Sequence, residues 1–132
     1  MYGTNKLAVS CKEPYMNSIE DILKELRVKA QTTPKGQWVR AWGFNETAVA
    51  EKRYPTREEL DEVSTEHPIK VLRTCGHISV INSKALETIN INENTPDPDG
   101  GTIERDHQGV LTGRLIETAH MRVFSMNLEM VI

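Results

Sequence analysis

The sequence predicts an α/β chain: a few strand–helix units, then a β-hairpin region on the C-terminal side. Three features carry that prediction. Residues 19–30 place apolar side chains at helical spacing. The runs 37–44 and 69–74 are short and almost continuously apolar. A helix start follows each of these runs. Strand, helix, strand, helix in succession marks a parallel arrangement. With 132 residues against roughly 150 per domain, the chain has room for one domain and no more.

Each element has a local cause. Residues 1–17 read as irregular, because Lys12-Glu13-Pro14 interrupts any regular element. Ser18 caps the first helix with Asp21 at its third position, and Ile19, Ile22, Leu23, Leu26 and Ala30 form one apolar face. Thr32-Thr33-Pro34-Lys35-Gly36 ends it. Trp38, Val39, Ala41, Trp42 and Phe44 make residues 37–44 too apolar for a strand buried on one face. Cover on both faces is expected, as in a parallel sheet. Trp38 and Trp42 fall on one face and are expected in the core. Residues 45–54 form a loop. Thr56 caps the second helix, Glu59 reaches back, and the helix must stop before His67-Pro68. Residues 69–74 are the second buried strand. A third helix starts at Asn82 or Ser83 and runs to about Ile89.

Residues 92–101, rich in Pro, Gly, Asp and Asn, form a loop. Residues 102–105 and 110–112 flank Asp106-His107-Gln108-Gly109, a turn with Gly where a left-handed residue is needed, hence the hairpin. From Leu115 a helix is expected. The last residues, Leu128-Glu129-Met130-Val131-Ile132, carry no stop signal and read as a truncated end or a tail buried elsewhere. The expected plan is one domain over 1–132: irregular segment 1–17, β/α units 18–91, loop and hairpin 92–114, C-terminal helix or tail 115–132.

Composition removes several functions. Sixteen Lys and Arg against nineteen Asp and Glu give a net charge of −3, without the basic excess of a general nucleic-acid binder. No stretch approaches 18 consecutive apolar residues, so no membrane span is expected. The N-terminus leads into no apolar h-region, so no signal peptide is expected either. An apolar share of 38% limits the core to a modest one. Cys11 and Cys75 form neither a metal knuckle nor a CxxC pair. They are expected as free thiols in a reducing cytoplasm, although spacing alone leaves a disulfide between them open.

Candidate chemistry concentrates at Arg73-Thr74-Cys75-Gly76-His77, at the C-terminal end of an expected buried strand, where parallel folds bind ligands. His77 can donate, accept or bind metal near neutral pH. The plainer alternative makes His77 a loop hydrogen-bonder and Arg73 a solvated strand end. Asn82 is a further candidate whose simplest role is to cap the third helix. Residues 95–100 carry the D-x-D-G half of a calcium loop, but Thr95 stands where an Asp is wanted and two prolines stiffen it. A turn-rich loop is expected there. Glu117, read alone, complements a helix start. The four histidines form no HxH, HxxxH or HExxH, and nothing local supplies three or four metal ligands.

Read in order, several segments resemble a known family. They are Gly36-Gln37-Trp38-Val39-Arg40-Ala41-Trp42-Gly43-Phe44-Asn45-Glu46, then Tyr54-Pro55-Thr56-Arg57-Glu58-Glu59-Leu60, then Gly76-His77-Ile78-Ser79-Val80-Ile81-Asn82-Ser83-Lys84-Ala85-Leu86. After them come Thr95-Pro96-Asp97-Pro98-Asp99-Gly100-Gly101 and Gly109-Val110-Leu111-Thr112-Gly113-Arg114-Leu115-Ile116-Glu117. The series is similar to the metal-dependent amidohydrolase superfamily, in the branch of N-substituted formamide deformylase-like and exoenzyme regulatory proteins, over about residues 18–119. That resemblance implies a hydrolase of amide or formamide-like C–N bonds on a (β/α)8 barrel beside a small β-domain. It implies a small-molecule substrate and one or two divalent metals, zinc foremost, that activate water. It places His77 as a catalytic residue facing the cleft and Glu117 as a metal ligand. The Asn82-Ser83 pair matches the family's Asn-Ser, which shapes the loop and helix start, and Asn82 is also expected on the substrate side; Arg73 is expected there from its strand-end position.

The departures from the family pattern matter as much. There is no HxH, the later His ligands and the general-base Asp fall beyond the matched region, and Cys75 stands where relatives often carry Asp. Two or three strands are legible where a barrel needs eight. The expectation is a fragment with partial barrel units that binds no metal and is not catalytic alone. An alternative expectation is a non-catalytic regulatory or interaction protein, a homodimer joined through exposed sheet edges. A third is a ligand-binding module that uses His77 and Arg73.

Overall fold

A computed structural model describes residues 8–12 and 16–117. The elements in chain order are β1 (Ala8–Ser10), α1 (Ile19–Gln31), β2 (Val39–Phe44), α2 (Arg57–Val63), β3 (Ile69–Arg73), β4 (Ile78–Ile81), α3 (Ser83–Thr88), β5 (Gly101–Arg105) and β6 (Leu111–Glu117). The six strands make one mixed sheet in the order β1-β2-β3-β4-β6-β5.

The three helices begin where their caps dictate. Ser18 Oγ accepts the Asp21 amide at the start of α1, and the Asp21 carboxylate accepts the Asn17 amide rather than closing the box on Ser18. At α2 the capping box is complete: Thr56 accepts from the Glu59 amide, and Glu59 accepts from the Thr56 amide. Asn82 caps α3. The apolar stripe of α1 (Ile19, Ile22, Leu23, Leu26 and Ala30) is buried against one face of the sheet, where it meets Val39, Ala41, Phe44, Ile69, Val71 and Val80. Leu60 of α2 joins the same cluster. A second cluster lies on the opposite face, where α3 brings Ala85 and Leu86 onto Trp38, Ile81, Ile103 and Leu115.

Several expectations need correction. The sheet is parallel only across β1-β2-β3; β4 runs antiparallel to β3, as does β6 to β4 and β5 to β6. The cause is the connection after β3. Only residues 74–77 separate β3 from β4, far fewer than a parallel crossover requires, so the chain must return antiparallel. Next, β2 is not covered evenly. Trp38, just before the strand, is buried with α3 residues, but Trp42 toward its far end is 45% exposed because α3 reaches only the Trp38 end. Last, Leu115 does not open a helix. Leu115–Glu117 belong to β6, where Leu115 is fully buried opposite Ser79. Residues 118–132, the site of the expected C-terminal helix or tail, lie outside the described residues. The strand β1, within the segment expected to be irregular, was hidden by its length of three residues.

The backbone is shaped by two close approaches. Gly113 sits at φ +94, and a Cβ there would lie 2.4 Å from the Ile81 carbonyl oxygen and 3.1 Å from Arg57 Cβ. No side chain fits between β6 and the end of β4 at this point. Gly43, at φ +75, is where the β2–β3 register shifts, and the Lys12 side chain packs into the space its Cβ would fill.

Candidate functional site

The C-terminal ends of β1, β2 and β3, together with the β3–β4 turn, collect the candidate residues at one end of the sheet. Ladder register defines the arrangement. Ile78 is opposite Ile116 across β4 and β6, so His77 and Glu117 form the next rung. The Glu117 amide donates to the His77 carbonyl at 2.8 Å. The two side chains approach to 3.8 Å between Nδ1 and Oε2, a contact longer than a hydrogen bond. Glu117 adopts φ +59, a left-handed conformation that a non-glycine residue seldom takes without a reason. Here the amide bond to His77 holds it. Two residues 40 positions apart in sequence, both singled out beforehand, therefore meet in space.

Arg73 is engaged differently. Its guanidinium grips both carboxylate oxygens of Glu46, at 2.8 and 3.2 Å, and ties the end of β3 to the loop after β2. That grip holds the Glu46 carboxyl below the usual carboxylate range, against a smaller opposing effect of burial. Close by, Arg114 stacks 4.7 Å from the Tyr54 ring centroid and pairs with Glu104, which also accepts from Thr112. Burial, and then the Glu46 charge, raise the Tyr54 phenol above its ordinary value. A cavity of about 350 Å³ bounded in part by Tyr54, Pro55, Val80, Leu111 and Arg114 opens beside this network.

Cys75 is exposed in the same turn. Burial alone would raise its pKa, but the His77 and Ile78 amides and the Arg73 guanidinium stabilise the thiolate and lower it. Cys11 is its opposite: burial pushes that thiol up to about 12. Both are free, which answers the disulfide left open by the spacing.

Asn82, expected on the substrate side, sits within the scaffold. It is fully buried. Its Oδ1 accepts from the Ile69 and Ala85 amides, and its Nδ2 donates to the Ser64 and His67 carbonyls. All of its bonding capacity is spent on four backbone groups, so none remains for a ligand.

Among the described residues, no group of three or more His, Cys, Asp or Glu is placed to hold a metal ion. His77 and Glu117 supply two donors where a structural or catalytic centre takes three or four. These residues alone do not fit a metal centre. The sequence singles out His77 and Glu117, which the structure brings together, and expects Trp42 in the core; it gives no signal for the contacts of Glu46, Tyr54 and Arg114. Those side chains acquire their roles only through strand neighbours, which no local motif announces.

Residues 2–130 match the sequence profile of the amidohydrolase family. The chain belongs to that family. It is 38% identical over 112 residues to an N-substituted formamide deformylase of Arthrobacter pascens, covering 85% of this chain and 21% of that protein. It is 35% identical over 106 residues to the exoenzymes regulatory protein AepA of Pectobacterium carotovorum subsp. carotovorum, covering 77% of this chain and 23% of that protein. The crystal structure of an uncharacterized metal-dependent hydrolase from Pyrococcus horikoshii OT3 superposes with a TM-score of 0.68 at 25% identity, over 98% of this chain and 22% of that one. This amidohydrolase-family chain thus spans about a fifth of the length of the relatives it matches. No helix among the described residues is long and apolar enough to cross a membrane.

Proposed function

We propose that the chain is a segment of a metal-dependent amidohydrolase that cleaves amide or formamide-like C–N bonds of a small molecule, and that it is not catalytic alone. The observation that carries this reading is the His77–Glu117 rung, with its left-handed Glu117, in a chain of the amidohydrolase family. In this reading His77 faces the reacting bond and Glu117 is one donor to a divalent metal, zinc being the natural candidate for mixed nitrogen and oxygen ligands. The remaining donors come from the rest of the parent protein. Arg73 lines the substrate side while its bond to Glu46 fixes the turn that carries His77. The parallel strands β1, β2 and β3 with their helices are barrel units of that parent, and the free thiols suit a reducing cytoplasm.

The test is to assay the purified chain against N-formyl amines and simple amides with added zinc, alongside a longer family member. No turnover by the chain and turnover by the longer protein are expected. Turnover by the chain alone, abolished by His77→Ala, would overturn the claim that it is not self-sufficient.

A second reading is a non-catalytic regulatory protein that dimerises, favoured by the likeness to AepA. One edge argues against association there. The loop before β5 covers that strand, with Asp97 accepting from the Ile103 amide and pairing with Arg105. Light scattering separates the two: a stable dimer supports the second reading.

A further inference from the structure

The sheet face that carries His77 and Glu117 also carries an aromatic group that no part of the site described so far uses. Side chains alternate along a strand, so Arg40 and Trp42 of β2 share one face with Trp38, the residue just before the strand. Trp38 lies in the cluster with Ile81 and Leu115, which fixes the face as the one opposite α1. Arg40 is registered with Lys70, and Lys70 with Ile81, so these belong to the same face. Alternation from Ile81 back through Ser79 brings His77 to that face, and from Leu115 forward brings Glu117. Trp42 is two strands from β4, about 10 Å at the usual strand spacing.

Trp42 is presented rather than packed. The register shift at Gly43 sends Phe44 into the core beneath α1 and leaves Trp42 45% exposed. Lys12 packs its stem against Gly43 and holds its ammonium 5.6 Å from the Trp42 ring centroid. Of the basic side chains on this face, Lys70 is buried and Arg40 half-buried, which leaves Lys12 as the ammonium beside Trp42.

We infer that Trp42 is a specificity-determining residue, the flat wall of a substrate subsite beside the His77–Glu117 pair that takes a planar aromatic group bearing a carboxylate, with Lys12 reading the charge. The inference rests on the amidohydrolase reading for what occupies the far end of that substrate, but the subsite itself is testable by binding. Stacking on the indole supplies the apolar contact, and a carboxylate at the ring edge meets the ammonium already poised there.

The probe is benzoate, followed by ligand-observed NMR with the purified chain. Acetate (charge without ring) and benzyl alcohol (ring without charge) are the controls. Benzoate should bind with a Kd of about 1 mM, as a fragment of that size can, and both controls at least about tenfold more weakly. Trp42→Leu should abolish binding, Trp42→Phe should retain it, and Lys12→Met should erase the preference for benzoate over benzyl alcohol. Trp42 is exposed, so these variants are expected to fold. Unchanged benzoate binding in Trp42→Leu, or acetate binding as well as benzoate, would overturn the inference. Because the readout is binding, a failure here is distinct from a failure of the longer relative to hydrolyse amides.

Discussion

The parallel and antiparallel halves of the sheet each bury an apolar cluster but differ in what accompanies it. In the parallel half, β1, β2 and β3 rest on α1 through apolar contact, and Leu26, Val39 and Ile69 are sealed from solvent. In the antiparallel half, β4, β6 and β5 also bury apolar side chains, with Ile81, Ile103, Leu111 and Leu115 clustered on Ala85 and Leu86 of α3, and they add a close backbone approach and charge: Gly113 beneath Ile81, Arg114 on Tyr54 and Glu104. The parallel half is a platform, and the antiparallel half brings His77 to Glu117. A site that needs two side chains from distant parts of the sequence is built where strands meet edge to edge.

Substitutions can break this comparison at either end. Leu26→Ala opens a cavity under a fully buried side chain and should cost about 4 kcal/mol in urea denaturation, the largest effect expected. Gly113→Ala should cost about 3 kcal/mol, because both its φ and the Ile81 carbonyl oppose a Cβ. Gly36→Ala, which shares a positive φ but has nothing near its Cβ, should cost only about 1 kcal/mol. Equal losses at the two glycines would mean that conformation, not the close approach of β6 to β4, sets the cost.

Lys70 provides a pH test on the platform. Burial first, and the neighbouring Arg40 charge second, push its pKa from 10.5 down to about 8. A folded-state value below the unfolded one means that the unfolded chain binds more protons between about 8 and 10.5. Stability from this group therefore rises with pH through that window and is level below it. Against Lys70→Met, the wild type should gain on the order of 2 kcal/mol between pH 7.5 and 10.5, read by paired denaturation curves. A constant difference would contradict it. The smallest effect is kinetic. At pH 8 a thiol reagent should modify Cys75 quickly and Cys11 only on unfolding, and Cys75→Ser should remove the fast phase.

The platform was the legible half. Caps at Ser18, Thr56 and Asn82, and the apolar stripe of α1, are local signals, and each appears where the sequence places it. Residues 78–81 escaped notice because four residues between a turn and a cap carry too little pattern, and missing them made a mixed sheet look parallel. His77 and Glu117 were reached through motif order, not geometry. Glu46, Tyr54 and Arg114 were invisible because their partners lie on neighbouring strands or loops.

In the proposed reading, the antiparallel half delivers His77 and Glu117 as an incomplete pair of metal donors. The most direct measurement is the His77 imidazole NMR signal during a zinc titration of the purified chain and of Glu117→Gln. A weak, saturable response at His77 is expected, at least about tenfold weaker in Glu117→Gln, with no zinc retained after desalting. Zinc held one-to-one through desalting, or a His77 response indifferent to Glu117, would contradict it.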